Sequence, residues 1–106
     1  MITAPLHTNE QERLRALYEL ELLDTPYEEE FDDLVRLASQ ICQVPISLIS
    51  LIDQDRQWFK ARVGLQDAQT DRSVSFCAHA ILGSDVFVVN NAPDDVRFSD
   101  NPLVTD

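Results

Sequence analysis

Residues 46–63 constrain the fold more than any other part of the sequence, because they predict two strands joined by a polar turn. Apolar side chains point to both sides of residues 46–52, which is typical of a central strand that is covered on both faces. Residues 53–56 form the turn, and the side chains of residues 57–63 alternate between two faces. One face carries Phe59, Ala61 and Val63, and the other carries Trp58, Lys60 and Arg62. An antiparallel β-hairpin is therefore expected at the centre of the molecule.

An amphipathic helix is expected immediately before the hairpin. Thr25 can act as the N-cap, Pro26 suits the first helical position, and Glu28 completes a capping box. Pro45 ends the helix. Its apolar stripe consists of Phe31, Leu34, Val35, Ala38, Ile41 and Cys42. This stripe predicts that the helix packs against the sheet.

Weaker signals predict the remaining elements. Asn9 and Glu12 form a capping pair before a helix that should run to about Leu20. The later elements are a polar loop over residues 66–72, a short helix over 76–82 stopped by Gly83, a third strand over 86–89, and an irregular or briefly helical end over 96–106. Helices that flank an antiparallel sheet define an α+β fold.

Size and charge exclude several classes of function. At 106 residues the chain forms one domain at most, and its net charge of −11 repels nucleic acid and anionic membrane surfaces. Because no apolar run could span a membrane and no secretory signal is present, a cytoplasmic location is expected. With Gly64 and Gly83 as its only glycines, the sequence has no glycine-rich loop to hold the phosphates of a nucleotide.

Residues 73–82 bring a cysteine and a histidine into one mostly apolar segment. Cys77 and His79 are two residues apart, which on a helix separates them by about 200° around the axis, so we do not expect them to bind one metal ion. No C-x-x-C or H-x-x-x-H spacing is present, and no metal site is predicted. Cys77 is interpreted as a small buried apolar residue rather than a nucleophile, Cys42 as a core residue, and both as free thiols.

Six blocks of the sequence form a specific pattern in their order and spacing. They are residues 9–14 (NEQERL), 22–26 (LLDTP), 31–34 (FDDL), 53–64 (DQDRQWFKARVG), 75–81 (SFCAHAI) and 95–102 (DVRFSDNP). In this respect the chain closely resembles the N-terminal GAF domains of bacterial signalling proteins. The resemblance implies a central antiparallel sheet flanked by helices, with residues 1–24 as an N-terminal helix and lead-in. Residues 25–106 would be the N-terminal portion of the GAF domain, about a third of which would be missing.

The resemblance implies a sensory function. Similar GAF domains precede a diguanylate cyclase, a cyclic di-GMP phosphodiesterase or a histidine kinase, and they change conformation when a small ligand binds. The chain is therefore expected to be non-catalytic, to need no cofactor, and to control an attached output domain. A module that only dimerises, without a ligand, is the first alternative. An enzyme similar to the free methionine sulfoxide reductases of the family is the second.

The ligand site that the resemblance implies is lined by Trp58, Phe76, Cys77 and His79, around an unidentified small molecule. His79 either reaches into the cavity or bonds to a loop backbone. Trp58 either closes over the ligand or covers the sheet. Bilin-binding relatives attach their chromophore through a cysteine directly followed by a histidine, and here Ala78 intervenes. Chromophore binding is therefore not expected.

Self-association is the last expectation. The amphipathic N-terminal helix offers more apolar surface than a small core can absorb, and the missing strands would leave sheet edges unpaired. We therefore expect a homodimer, with neither nucleic acid nor a membrane as a partner.

Overall fold

The computed structural model describes residues 2–105 as helices packed on a three-stranded antiparallel sheet, which confirms the α+β class. The helices are α1 (Glu10–Glu19), α2 (Glu29–Cys42), α3 (Cys77–Ala80) and α4 (Pro102–Thr105). The strands are β1 (Ser47–Ile52), β2 (Arg56–Val63) and β3 (Gln69–Asp71), and 3₁₀ turns span Arg72–Val74 and Ala92–Asp94. Within residues 2–105, no helix is both long enough and apolar enough to cross a membrane.

The predicted hairpin of β1 and β2 is present, but its central strand is β2 and not β1. β2 pairs with β1 on one side and with β3 on the other, so β1 lies at the edge and only its Ile52 is fully buried. The expectation of a central strand over residues 46–52 is therefore wrong. The register shifts at Lys60, an extra residue in β2 that breaks the strict alternation predicted for residues 57–63.

The third strand of the sheet lies in a different segment from the one predicted. β3 pairs with the start of β2, within the stretch that was expected to be a polar loop. Residues 86–89 are not a strand, and Val86 and Val88 are 90% and 66% exposed. A strand needs a partner for its backbone N–H and C=O groups. Within residues 2–105 the segment 86–89 pairs with no strand, so its apolar composition alone does not make it one.

α2 begins later than its capping signals indicate. The Thr25 hydroxyl donates to the Leu22 carbonyl at 2.5 Å and accepts from the Lys60 ammonium at 2.7 Å. It is therefore engaged elsewhere, and the helix has no side-chain cap. The helix ends at Gln43, which adopts a left-handed conformation two residues before Pro45.

α1 and α3 lie where the sequence predicts them, but their ends differ. The Asn9 side chain makes no capping bond, and its backbone amide donates instead to Nδ1 of His7 at 3.0 Å. α3 is only four residues long and passes into a right-handed cap at Ile81. Gly83 follows that cap and does not have the left-handed conformation expected of a helix-ending glycine.

The apolar stripe of α2 is only partly buried. Val35 is 3% exposed, Phe31 is half-buried, and α2 packs on β1 and β2 through this side. The exposed members of the stripe are Leu34, Ala38, Ile41 and Cys42. The predicted packing of the whole stripe is therefore wrong, and so is the expectation that Cys42 is a core residue. An amphipathic pattern shows that a helix has an apolar face, but one narrow sheet covers only part of that face.

The core lies around β2. Its fully buried apolar side chains are Leu17, Val35, Ile52, Trp58, Phe59, Ala61, Ala78 and Phe98. Gly64 directly follows β2 and has a φ of 78°. It lies so close to the Pro45 carbonyl that a Cβ atom at this position would be 2.0 Å from the oxygen. Only glycine combines this conformation with this approach.

Candidate functional site

A chain of buried hydrogen bonds fixes α3 on the sheet. The Ser75 hydroxyl donates to the side-chain oxygen of Gln57 at 2.5 Å and accepts from the Ala78 amide at 3.0 Å. Gln57 in turn donates to the Ser50 hydroxyl at 2.9 Å. Ser75, Gln57 and Ala78 are all buried. Because such bonds are strong in a low-dielectric interior, they hold the segment of the predicted site against β1 and β2.

Four ring-bearing side chains, Phe76, His79, Phe87 and Phe98, form one aromatic cluster beside α3. Phe76 and Phe98 stack with their centroids 4.0 Å apart, and the His79 ring meets Phe98 edge-on at 5.0 Å. Phe87 lies 6.5 Å from His79 and 6.3 Å from Phe98. Phe98 is fully buried and is the hub of the cluster. Stacked and edge-to-face pairs at these distances stabilise each other beyond the area that they bury.

His79 is hydrogen-bonded to the N-terminal segment. Its Nε2 atom lies 3.0 Å from the carbonyl oxygen of Ile2. Since a carbonyl only accepts, Nε2 carries the proton of this bond. The Ile2 amide donates to the Arg97 carbonyl at 3.2 Å, and the Thr3 hydroxyl donates to the Ser73 carbonyl at 3.3 Å. Of the two interpretations of His79, the structure shows the bond to backbone.

Arg97 covers the outer side of the aromatic cluster. Its guanidinium carbon lies 4.9 Å from the centroid of Phe87 and 5.2 Å from that of Phe98. The same guanidinium donates to Asp95 at 3.0 and 2.8 Å. Hydrogen bonds from Arg97 lower the pKa of Asp95 to about 2. The cluster therefore carries one fixed positive and one fixed negative charge at its rim.

The other two predicted site residues are separate from the rings of this cluster. Trp58 is buried within β2, where it pairs with Leu51 and Gln69. In the described part of the chain its indole stacks on none of the cluster's rings. Cys77 begins α3, is partly exposed, and is a free thiol, as is Cys42. The assignment of Trp58 and Cys77 to a ligand site stays a prediction.

An open cleft lies between α1 and β1, with Ile81 after α3 at its side, and the predicted site residues do not line it. It has a volume of about 500 Å³. Its walls are His7, Arg13, Ala16, Leu17, Leu20, Ser50, Leu51, Ile52 and Ile81. Ile81 follows α3 directly, so this cleft adjoins the aromatic cluster without being lined by Phe76, Cys77 or His79.

An arginine–carboxylate network joins α1 to the segment that leads into α3. Glu10 accepts from Arg13 at 3.0 and 2.9 Å and from the buried Arg72 at 2.5 and 3.1 Å. Arg13 also donates to the Ile52 carbonyl at 2.6 Å. Hydrogen bonds from Arg13 and then Arg72 hold the pKa of Glu10 well below its usual range. Arg72 lies three residues before Ser75 in the sequence. The network therefore connects the N-terminal helix to the segment that leads into the candidate site.

The acidic turn between β1 and β2 has a structural role. Arg56 donates to Asp24 at 2.8 and 2.7 Å and to Asp53 at 3.0 Å, and the Tyr18 hydroxyl donates to Asp53 at 2.7 Å. The bonds from Arg56 lower the pKa of Asp24, and the bond to Asp53 raises the pKa of Tyr18. These charges fasten the lead-in segment to the hairpin. Residues 2–105 contain no group of three His, Cys, Asp or Glu side chains placed to hold a metal ion.

Sequence reasoning missed three members of the site: Phe87, Arg97 and Phe98. Phe87 was assigned to a strand that does not form, and the other two to an irregular end. The block at residues 95–102 contains Arg97 and Phe98 and was part of the family resemblance. That resemblance was the signal by which they could have been found, because no periodic pattern marks them.

Comparison with known proteins finds a relative that is much longer than this chain. No protein-family model matches the sequence. The chain is 45% identical over 104 residues to a cyclic di-GMP phosphodiesterase of Pseudomonas aeruginosa. The alignment covers 98% of this chain but only 18% of that phosphodiesterase. The chain is therefore similar to a small part of a much longer bacterial enzyme.

Proposed function

We propose that this chain is a GAF-like sensory module that does not catalyse a reaction itself. It binds a small ligand beside α3 and thereby regulates an attached output domain that acts on cyclic di-GMP. The similarity to a small part of a cyclic di-GMP phosphodiesterase supports this proposal most directly. A segment of this size leaves most of such an enzyme to carry the catalytic residues, so a regulatory role suits the segment.

The arrangement around α3 supports a binding function. Three phenylalanine rings, a histidine and an arginine converge there, and hydrogen bonds fix the short helix that carries His79 and directly follows Phe76. Aromatic faces next to a guanidinium suit a flat ring that bears an acidic group. We therefore infer that the ligand is a small aromatic acid or a nucleotide. A ligand bound at this place would compete with the Ile2 carbonyl for the hydrogen bond of His79. Ligand binding would therefore change how the N-terminal segment is held.

A thermal-shift titration tests this ligand class. Purine nucleotides and aromatic carboxylates are added to the wild-type chain and to His79→Gln, which keeps a side-chain N–H donor. At least one compound is expected to raise the melting temperature of the wild type by several degrees and that of His79→Gln by much less. Val86→Ala, at an exposed position outside the cluster, should respond like the wild type. No shift with any compound, or equal shifts in His79→Gln, would contradict the proposal.

A dimerisation-only module is the second candidate, and the exposed side of α2 favours it. Leu34, Leu37 and Ile41 are all more than half exposed on this helix. An apolar strip of this kind commonly marks a protein interface. Light scattering of the wild type should report a dimer, and Leu34→Glu with Ile41→Glu should report a monomer. A wild type that is monomeric at every accessible concentration would exclude this candidate.

A further inference from the structure

A cleft of about 250 Å³ separates the first turns of α2 from the end of β2. None of the residues that line it belongs to the aromatic cluster. It is lined by Tyr27, Asp32, Arg36, Arg62 and Val63. The volume is below the range of most drug-sized ligand pockets, so it suits a molecule of only a few heavy atoms.

Arg62, one of the residues that line this cleft, has an unused donor. Its Nη1 atom is buried and has no hydrogen-bond partner within residues 2–105. The guanidinium carbon lies 5.4 Å from the ring centroid of Tyr27, a cation–π contact that orients the group. A buried N–H without an acceptor costs free energy, and a carboxylate is the acceptor that matches a guanidinium best.

Asp32 supplies the opposite charge in the same cleft. Its carboxylate makes no ion pair with Arg62 or Arg36, although all three side chains line the cleft. Arg36 is instead paired with Asp33 at 3.0 Å, on the exposed side of the helix. Within residues 2–105, Asp32 and Arg62 thus place opposite charges without an ion pair at one small cleft, which fits a ligand that carries both charges itself. An anion alone would meet Asp32, and a cation alone would meet the two arginines.

We propose that this cleft binds a small zwitterion of the size of a free amino acid. Its carboxylate accepts from Arg62, with Arg36 close by, and its ammonium donates to Asp32. This site goes beyond the proposed regulatory function and shares no residue with the aromatic cluster. Its failure would therefore leave the function proposed for the aromatic cluster unaffected.

Nuclear magnetic resonance titration of the chain tests the proposal with three probes: L-alanine, acetate and ethylammonium. L-Alanine should shift the amide signals of Tyr27, Asp32 and Val63 saturably. Acetate and ethylammonium, which each carry one of the two charges, should bind at least about tenfold more weakly. Asp32→Asn and Arg62→Gln should each raise the Kd for L-alanine by about tenfold or more.

The matched control is Glu30→Gln, which changes an exposed acid on the same helix outside the cleft and should leave the Kd unchanged. If Arg62→Gln does not fold, Asp32→Asn still tests the proposal, because Asp32 lies at the surface of α2. The spectrum of Asp32→Asn then shows whether that variant retains the fold. The proposal is overturned if L-alanine gives no saturable shift up to about 50 mM. Acetate binding as tightly as L-alanine, or an unchanged Kd in Asp32→Asn, would overturn it equally.

Discussion

Single charged side chains decide how the N-terminal helix is held. Glu10 joins two arginines, of which Arg72 is 7% exposed, so removing the carboxylate would leave a buried guanidinium without its main acceptor. A buried charge that loses its partner destabilises a fold far more than an exposed one does. The Glu10 carboxylate is therefore important for the stability of the fold, although its sequence position marks it only as a first-turn glutamate.

Glu10→Gln should lower the free energy of unfolding at pH 7 by about 1–3 kcal/mol, the range for a lost charged hydrogen bond. Because the folded state holds the pKa of Glu10 below its unfolded value of about 4.3, ionised Glu10 stabilises the fold above that pH. This stabilisation is lost as the pH falls toward the folded pKa. Urea unfolding should show the gap to the wild type shrinking between about pH 5 and about pH 2.

Glu12→Gln, on the exposed side of the same helix, is the control and should show no such gap. A gap between wild type and Glu10→Gln that stays constant from pH 7 to pH 2 would contradict the assigned role of the carboxylate.

The two glycines offer a matched pair. Gly64→Ala should destabilise the fold by about 2 kcal/mol or more, because its positive φ and the nearby Pro45 carbonyl both oppose a Cβ atom. Gly83→Ala should stay within about 0.5 kcal/mol, because a Cβ there meets nothing within 4 Å. Chemical denaturation measures both, and equal midpoints for the two variants would refute the geometry described at Gly64.

At the level of elements, α2 has one buried and one exposed apolar side. Its pattern predicts a helix with an apolar stripe, and both are present. The pattern cannot tell which part of the stripe the sheet covers, because Leu34 and Val35 are equally apolar and differ only by rotation about the helix axis. The structure places Val35 on β1 and β2 and leaves Leu34 56% exposed.

Val35→Ala should therefore destabilise the chain by about 1–3 kcal/mol, through lost burial and the cavity that it leaves. Leu34→Ala should cost under about 1 kcal/mol, well below the 2–5 kcal/mol expected of a packed leucine. Denaturation midpoints of the two variants give the comparison. If Leu34→Ala proved the more damaging, the orientation of α2 would have to be wrong.

Strand positions show a second limit of sequence reasoning. The hairpin was predictable because its turn and its alternating residues are local in sequence. β3 was not, since its three residues pair with β2 through backbone groups that any residue supplies. Residues 86–89 have strand composition and no partner strand within the described chain. Composition indicates the tendency of a segment to form a strand. Whether it does so depends on whether the edge of a sheet lies close enough to pair with its backbone.

At the scale of the whole molecule, the proposed function depends on resemblance. Charge, glycine content and cysteine spacing excluded classes of function, and the six sequence blocks indicated a signalling module. The aromatic cluster was half predicted: Phe76 and His79 belong to it, whereas Phe87 and Phe98 come from segments without a periodic pattern. Their convergence depends on long-range contacts, which include the bond from Asn101 to the Val74 carbonyl at 2.9 Å.

The hydrolysis rate of cyclic di-GMP tests the regulatory role most directly, in a chimera where this chain replaces the matching residues of the Pseudomonas aeruginosa phosphodiesterase. His79→Ala in that chimera should change kcat by about fivefold or more with KM unchanged, since the proposed role of the module is to bias the enzyme's conformation without touching its substrate. Val86→Ala should leave both constants unchanged, and the isolated chain should release no product. Hydrolysis by the isolated chain, or identical kcat values for His79→Ala and the unmutated chimera, would contradict this account.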